Sequence, residues 1–564
     1  MTSILTPLAS PATTVAASHD APPAPLGAPF ASPAAPLALG AALAVAALGD
    51  TLLRANGLGL NLVVLVAALL AAGAWLARRT GQRLTVGAVL LAALALVVAA
   101  AVAWRDAPLL VALDVLALLT VLCALVPMVR DGHTLAIERA GPVHYVAGAA
   151  LTGLRVAAGG PRLAAGAVAA SPVSRGLAAR GLGSVARGSL LALPVLLVFA
   201  GLLMSADRAF ERLLERLVAW DGGTLVSHVV VITLLAWIAG GALFAALLDR
   251  PAPHDPARPD ALATIGARLR ARLCAAGVGA REMVVVLALV DLLFLGFGAL
   301  QLRWFFGGAG SLQAAGLTVA EYARSGFFEL VTVAALVLPL LLVTHAVASE
   351  PAERGALSPG DEAPVVAHTP RGYRIAAGLM IALVGLLLVS AGDRMALYLD
   401  AFGLTRDRFH ASAFMAWLGA VFAWAAVTLL RGRVAQFALG TLVSAWAMVL
   451  ALHVVNPDAR IAGVNTARAL AGREFDAAYL RTLDLDAAPV LAARVPALLA
   501  RMQDPAMRCV LRAALHDMAR RADAPGDWRR WRWSRARAAA VLPAWARGPA
   551  PVCGAAAGVS RAPA

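Results

Sequence analysis

Hydrophobic residues occur along most of this chain in runs of about 20, separated by short polar connections. An apolar run of that length crosses the roughly 30 Å hydrocarbon core of a bilayer as an α-helix. The alternating ten-residue segments that spanning β-strands require do not occur. The pattern therefore predicts an all-α, polytopic membrane helix bundle of about 11 transmembrane helices, near residues 36–53, 57–77, 84–104, 108–129, 188–206, 223–249, 282–303, 326–347, 373–391, 410–430 and 434–454.

The pattern changes at both ends of the chain. Residues 1–35 are rich in Pro, Ala, Ser and Thr, which indicates a disordered tail, and they lack the basic start of a secretory signal, so the first span is expected to remain as an anchor. After the last span, shorter stretches with helical spacing predict a small helical extramembrane domain over 456–545, followed by a disordered tail over 546–564. Between them we expect a four-helix membrane segment over 36–129, a basic cytoplasmic loop over 130–187 and a membrane core over 188–455.

The basic loop over 130–187 allows two interpretations. Its arginines alternate with Ala, Val, Leu and Gly, which suits a basic amphipathic segment lying on the anionic inner leaflet. The alternative is a solvated loop whose arginines only set the orientation of the neighbouring spans.

Composition excludes several classes of function. Apolar residues make up 60% of the chain and charged residues only 14%, and all 48 basic residues are arginine. Without lysine the chain has no Walker-type phosphate loop, no Schiff-base lysine and no kinase lysine, so we expect no coupling to ATP. The net charge of +15 is explained by arginines that set membrane topology rather than by a nucleic-acid partner.

Arginine distribution predicts the orientation of the bundle. The connections after even-numbered spans, with the adjoining span ends, hold 21 arginines, and those on the other side hold 10. This places the N-terminus in the cytoplasm of a bacterial cell and, with eleven spans in the inner membrane, the C-terminus outside. The many arginines after residue 456 argue the other way, but long segments translocate largely regardless of charge.

Neither the cysteines nor the histidines indicate a metal site or a cofactor. The four cysteines are far apart with no C-x-x-C pair, and the ten histidines lack ligand spacing. We interpret the cysteines as small buried apolar residues.

Ionisable residues inside predicted spans are costly and are therefore candidates for function. Asp291 lies mid-span, and Asp114 lies two turns inside the fourth span. Each is interpreted either as a proton or ligand contact, or as a structural partner for a polar side chain on another helix.

Charged residues also collect where the seventh and eighth spans are joined, on the predicted outer side. Arg303, Glu321, Arg324 and Glu329 occur there among aromatic residues and glycines. Glu329 lies near the positive end of a helix, and Glu321 and Arg324 have the spacing of a same-face ion pair. The group suits either a ligand cleft or a purely structural helix cap.

Two features of the C-terminal region carry further hypotheses. Trp528, Arg530, Trp531 and Trp533 form a basic and aromatic patch suited to anionic lipid or to an envelope protein partner. Asp484-Leu-Asp486 is a D-x-D sequence, which occurs in sugar transferases, but a helix-capping pair is the favoured interpretation.

Several segments resemble a known family. They include Gln301-Leu-Arg-Trp-Phe-Phe-Gly-Gly308, Ala320–Leu330, Arg394–Thr405 and Asn456-Pro-Asp458 with Asn465. In this order they are similar to the uncharacterised bacterial membrane family called domain of unknown function 4173, and to its relative 4153, over roughly 185–540. The resemblance implies a polytopic bacterial membrane protein and supplies no catalytic residue.

Three functions follow as hypotheses. The first is a protein that binds or moves a small or lipid-like ligand without ATP hydrolysis. The second is an envelope scaffold or sensor whose C-terminal domain binds a partner. The third, an enzyme that transfers lipid-linked sugars, has less support because the first outer connection is too short to carry catalytic carboxylates.

Overall fold

The computed structural model describes residues 32–54, 57–131, 142–170, 222–249, 277–305, 327–349, 369–523 and 526–549, with a few isolated residues between and after them. The regular structure of these ranges consists of helices and short 3-10 turns, and no strand occurs in the ranges. The all-α prediction is therefore confirmed.

In the part of the chain that the structure describes, eleven helices form the membrane body. They are α1 Ala35–Leu53, α2 Leu60–Arg79, α3 Val86–Val102, α4 Pro108–Asp131, α5 Pro142–Ala170, α6 Gly222–Leu243, α7 Ala280–Phe305, α8 Phe327–Ala348, α9 Arg371–Phe402, α10 Arg406–Leu430 and α11 Ala435–Val455. A five-residue π-helix, Phe244–Leu248, continues α6.

Within the described ranges, nine helices are long and apolar enough to cross a membrane: α1, α2, α4 and α6 to α11. The predicted span at 84–104 corresponds to α3, a shorter apolar helix of 17 residues. Most of the predicted span at 188–206 lies outside the described residues. The chain is a multi-pass helical membrane protein.

The membrane helices pack into two groups. Buried residues of α1, α2, α5 and α6 form one core, and α2, α3 and α4 form an adjoining one. Helices α7 to α10 form a separate core around Tyr373 and Met380. Helix α11 lies between the groups: Trp446 packs with α3 and α4, and Phe437 packs with α9 and α10. We call α1–α6 the N-terminal group and α7–α10 the C-terminal group.

Helix α5 lies where the sequence predicts a basic cytoplasmic loop. It packs across α6 through glycines: a Cβ atom on Gly160 would come within 2.7 Å of the Trp237 carbonyl oxygen. Leu163 and Ala167 are buried with α1 and α6. Small residues let the two backbones approach closely. That packing, which the arginine count did not reveal, makes residues 142–170 part of the bundle.

The C-terminal region folds into a small helical domain. It comprises α12 Pro457–Leu470, α13 Ala488–Arg501, α14 Pro505–Asp523 and α15 Trp533–Val541, with 3-10 turns at Tyr479–Thr482, Leu485–Ala487, Trp528–Arg530 and Ala544–Arg547. Its apolar core includes Leu480, Leu491, Leu511 and Met518, all at most 1% exposed. An independent core of this kind explains the change of sequence pattern after residue 456.

A disulfide joins Cys509 on α14 to Cys553, with 5.7 Å between the two Cα atoms. The interpretation of these two cysteines as merely small buried residues is therefore wrong. Sequence separation hid the pairing, because the two residues are 44 positions apart and only the folded domain brings them together.

Candidate functional site

The C-terminal domain packs onto one end of the membrane body, which we call the domain face. Helices α1, α3, α9 and α11 end there, and α2, α4 and α10 begin there, because the connections between them contact the domain. Helix α6 begins at the same level, since Arg54 at the end of α1 bonds Ser227. The short connections therefore join these helices as antiparallel hairpins.

Asp486 holds the domain to the N-terminal group. Its side chain is 2% exposed; one carboxylate oxygen accepts from Arg105 at 3.3 Å and the other from the backbone N–H of Asp106 at 2.7 Å. Both partners lie in the five-residue connection between α3 and α4. The connection is too short to fold by itself, so the domain determines where these two residues lie.

Arg532 makes a second attachment to the N-terminal group, at the α1–α2 and α3–α4 connections. Its guanidinium donates to the Asp106 carboxylate at 2.5 Å and to the Leu58 carbonyl at 2.9 Å. Nearby backbone groups pair as well, with the Trp533 N–H donating to the Ala103 carbonyl at 2.8 Å. Gly59 is required at this contact, because a Cβ there would lie 2.8 Å from backbone atoms of Arg530 and Trp531.

Asp484 and Asp458 hold the C-terminal group. Arg406, the first residue of α10, donates to Asp458 at 2.9 Å and to Asp484 at 2.5 Å. Asp458 is 1% exposed and also accepts from the backbone N–H of Asp484 at 2.7 Å. The Tyr479 hydroxyl accepts from the Arg406 backbone N–H at 2.7 Å. One arginine at a helix start therefore binds two parts of the domain.

Asn465 adds an attachment to the α9–α10 connection. Its side-chain amide pairs with both backbone groups of Leu404, at 2.9 Å and 2.8 Å. The preceding residue, Gly403, has φ +76°, and a Cβ there would lie 2.8 Å from the Asn465 oxygen. Asn465 thus fits against a turn that needs glycine for both conformation and space.

We call these residues (Arg105, Asp106, Arg406, Asp458, Asp484, Asp486 and Arg532) the polar junction. The D-x-D sequence lies at its centre. Its interpretation as a helix-capping pair is wrong, because Asp484 precedes a 3-10 turn without forming a cap bond, and both carboxylates accept from arginines instead. Leu485 between them is 1% exposed and fixes the turn in the domain core.

Burial sets the electrostatics of the junction. Desolvation raises the pKa of Asp484 to about 6, with Asp458 adding to the rise and Arg406 opposing it. Desolvation also raises the pKa of Asp486, against the lowering effect of the Asp106 N–H and Arg105. The arginines keep these buried carboxylates paired, which is the condition under which buried charges are tolerated.

The junction continues into the membrane at Asp114. This residue on α4 and His453 on α11 are both fully buried, and His453 Nε2 lies 3.1 Å from the Asp114 carboxylate. The His453 carbonyl accepts from the Arg105 Nε–H at 2.9 Å. Asp114 therefore has a structural partner, a histidine, which the sequence did not pair with it.

Asp291 has a different environment. It is 2% exposed, on α7, and neither carboxylate oxygen has a hydrogen-bond partner among the residues that the structure describes. Its neighbours one turn away, Leu287 and Phe294, pack with α8 and α9. Asp114 and Asp291 are the two candidate functional residues that the sequence places inside spans. Of these two, Asp291 is the one whose carboxylate forms no hydrogen bond with the described residues.

The remaining predicted residues are placed as follows. Arg303 and Glu329 lie in α7 and α8, but their side chains are outside the described residues, as are Glu321 and Arg324 altogether. Of the segments that resemble the family, the structure brings together Arg394–Thr405 and Asn456–Asn465. No group of three metal-ligating side chains occurs in the part of the chain that is described.

The aromatic patch lies beside the polar junction. Trp528, Trp531 and Trp533 are 60%, 43% and 48% exposed. The Trp531 carbonyl accepts from the Leu60 N–H at 3.2 Å, so the backbone of the patch is fixed to the start of α2 while its rings stay open. The sequence pattern predicts this patch, but charge in very short connections is the only sign it gives of Arg105, Asp106 and Arg406.

Fold and site together define a multi-pass helical membrane protein with a helical domain held across one face of the bundle. The family model of the domain of unknown function DUF4153 matches residues 91–493. The chain belongs to this family, and the relationship expected from the sequence segments is confirmed. The matched part runs from α3 into α13 and so contains most of the polar junction. Comparison with curated proteins found no match, and neither did comparison with solved structures.

Proposed function

We propose that this protein is an envelope scaffold or sensor in which the C-terminal domain holds the two groups of membrane helices together. The supporting observation is that two aspartates within three residues bind different helix groups. Asp486 binds the α3–α4 connection, and Asp484 binds the start of α10. A force or partner that shifts the domain would act on both helix groups at once.

The junction also offers a route into the membrane. Arg105 bonds both Asp486 in the domain and the carbonyl of His453, which in turn pairs with Asp114. A change in domain position would therefore alter the packing of α4 against α11. Contiguous contacts of this kind can carry coupling between the domain and the membrane helices.

The proposal places the domain outside the cytoplasm of a bacterial inner membrane. The arginine excess on the opposite connections supports this orientation. The Cys509–Cys553 disulfide supports it independently, because structural disulfides persist in oxidising compartments.

Site-specific photo-crosslinking in cells tests the scaffold. A crosslinking residue at Trp528 or Trp533 is expected to capture a single envelope protein, and reciprocal purification of that protein should recover this chain. The matched control is Trp75, a half-exposed tryptophan on α2 close to its opposite end. Absence of protein adducts at both positions, or the same adducts at Trp75, would contradict the proposal.

A second candidate, binding or moving a small ligand without ATP, is favoured by Asp291. A buried carboxylate without partners inside a bilayer is suited to carrying a proton or meeting a cationic group. Proton flux into liposomes should then fall with Asp291→Asn and persist with Asp517→Asn, a change in the C-terminal domain. Liposomes that show no flux, or equal flux for both variants, would remove the support.

Neither candidate requires an enzyme, and the transferase hypothesis loses its D-x-D, whose carboxylates are bound to arginines.

A further inference from the structure

A groove of about 570 Å³ lies between α9 and α10. Its lining is almost entirely apolar and includes Leu388, Met395 and Phe422. On α9 it extends from Ile381 to Leu399, which is roughly 27 Å at 1.5 Å per residue, close to the thickness of the hydrocarbon core. The groove is therefore long and narrow, and it follows the direction in which lipid chains lie.

Three glycines keep the groove open. Gly385 and Gly392 lie on α9 and Gly419 lies on α10. A Cβ atom added at any of them would have no neighbouring atom within 4 Å. Elsewhere in this bundle glycine allows close helix contact, as at Gly160, but here it widens an apolar space. In a membrane such a space is filled by an apolar chain, since an unfilled one forfeits dispersion contacts.

The end of the groove at the domain face carries positive charge. Arg408 lies one helical turn beyond Ser412, a lining residue whose hydroxyl donates to the Arg408 carbonyl at 2.7 Å. Its guanidinium lies 4.0 Å from the centre of the Tyr398 ring and donates to the Gly403 carbonyl at 2.7 Å. Arg468 reaches the same end and donates to the carbonyls of Asp400 and Leu399, at 2.5 Å and 3.5 Å.

Neither arginine forms a salt bridge with a carboxylate of the described residues. Asp400 interacts electrostatically with Arg468, but its salt bridge is with Arg473, at 2.5 Å. Arg408 and Arg468 use only part of their guanidinium donors on backbone carbonyls. Arginine is the side chain best suited to a phosphate, because its planar fork can bond two oxygens at once.

We propose that the α9–α10 groove binds an anionic phospholipid, with one acyl chain along Gly385, Gly392 and Gly419 and the headgroup phosphate at Arg408 and Arg468. The assignment goes beyond the scaffold and does not depend on it. It supplies a ligand class for the second candidate function, yet binding would occur whether or not anything is transported. A lipid here would touch Arg468 of α12 and thereby the C-terminal domain.

The test is lipid retention by the purified full-length protein. After exchange into nanodiscs of phosphatidylcholine, the protein is titrated with phosphatidylglycerol, and bound lipid is counted by native mass spectrometry. A Cβ atom at Gly392 or Gly419 meets no atom within 4 Å, so Gly392→Leu and Gly419→Leu should extend into the groove and abolish specific binding. The matched control is Gly296→Leu, on an exposed part of α7 with equally open surroundings, which should bind as the wild type does.

A second variant separates the headgroup from the chain. Arg408→Gln should weaken phosphatidylglycerol binding about tenfold, the effect of losing one charge-assisted hydrogen bond. Phosphatidylcholine binding should weaken less, because its choline cation already offsets the attraction between its phosphate and the arginines. Equal binding by wild type and Gly392→Leu would overturn the proposal. A second pair of results would also overturn it: the wild type carries no bound lipid, and the Gly392→Cys variant does not react with a membrane-permeant maleimide. Protein would then occupy the groove. Thermal unfolding of each variant verifies that it is folded. An absence of photo-crosslinks at Trp528 would contradict the scaffold proposal and would not change the lipid-binding measurements. The scaffold and the lipid site can therefore be refuted independently.

Discussion

Asn456 shows how much one residue contributes at the domain face. It is the single non-glycine residue with positive φ in the described ranges, at +54°, and it lies directly between α11 and α12. Its side-chain oxygen caps α12 by accepting from the Ala459 N–H at 3.2 Å, and its amide reaches the Asp486 carbonyl at 3.4 Å. Asparagine is among the few residues that tolerate this conformation and also cap a helix.

Replacing Asn456 therefore has two separable effects. Asn456→Ala should lower the free energy of unfolding by about 2 kcal/mol, because it loses the cap and forces alanine into the left-handed region. Asn456→Gly should recover part of this loss, since glycine removes only the strain. Thermal unfolding in detergent measures both, and equal values for the two variants would contradict the conformational part of the argument.

At Asp484 the predicted effect depends on pH. Its folded pKa of about 6 lies above the ordinary 3.8, so the folded protein binds more protons than the unfolded chain between these values. The contribution of this group to the free energy of unfolding should consequently rise as pH falls from 7 to 4. Asp484→Asn should reduce the difference in melting temperature between pH 5 and pH 7, and Asp517→Asn, in an exposed ion pair, should not.

At the scale of elements, the C-terminal domain depends on a covalent link between α14 and the chain end. Closing a 44-residue separation with a disulfide restricts the unfolded chain and stabilises the fold by about 2–4 kcal/mol. Cys509→Ser should therefore lower the melting temperature and expose the region after α15 to protease. Cys123→Ser, at a cysteine that is free in the described part of the chain, is the control and should change neither. Identical proteolysis of the two variants would mean that the domain does not need the link.

At the scale of the whole molecule, the polar junction makes the two helix groups interdependent. Asp486→Ala leaves Arg105 without its buried carboxylate, which costs about 3–5 kcal/mol when a buried pair is broken. Asp484→Ala should cost less, because Arg406 keeps its pair with Asp458. Hydrogen exchange should then rise in the α3–α4 connection for Asp486→Ala and at the start of α10 for Asp484→Ala. The exposed pair Arg481–Asp517 provides the control, because surface pairs contribute little. Exchange that rises equally at both places for either variant would indicate general unfolding instead of two distinct attachments.

Orientation is also a property of the whole molecule. Reporter fusions after residue 549 and after residue 131 should be active on opposite sides of the membrane, with the first outside. An alkaline phosphatase reporter that is inactive after residue 549 would place the domain in the cytoplasm and contradict the role given to the disulfide.

The sequence by itself determined the helical membrane body, most of its span positions and the separate C-terminal domain. These follow from local hydrophobic length and period, which depend only on neighbouring residues. It also identified Asp291, Asp114 and the tryptophan patch, because charges inside apolar runs and aromatic clusters are visible one segment at a time.

Tertiary structure alone decided which of these residues meet. Asp486 and Arg105 are 381 positions apart, Asp114 and His453 are 339 apart, and no local pattern links them. The same holds for α5, whose packing against α6 depends on the close approach of two backbones at small residues rather than on its arginines. Whether a buried carboxylate is paired, as at Asp486, or left without a partner, as at Asp291, is set by what the fold places opposite it. That is why the polar junction could not be found before the helices were packed.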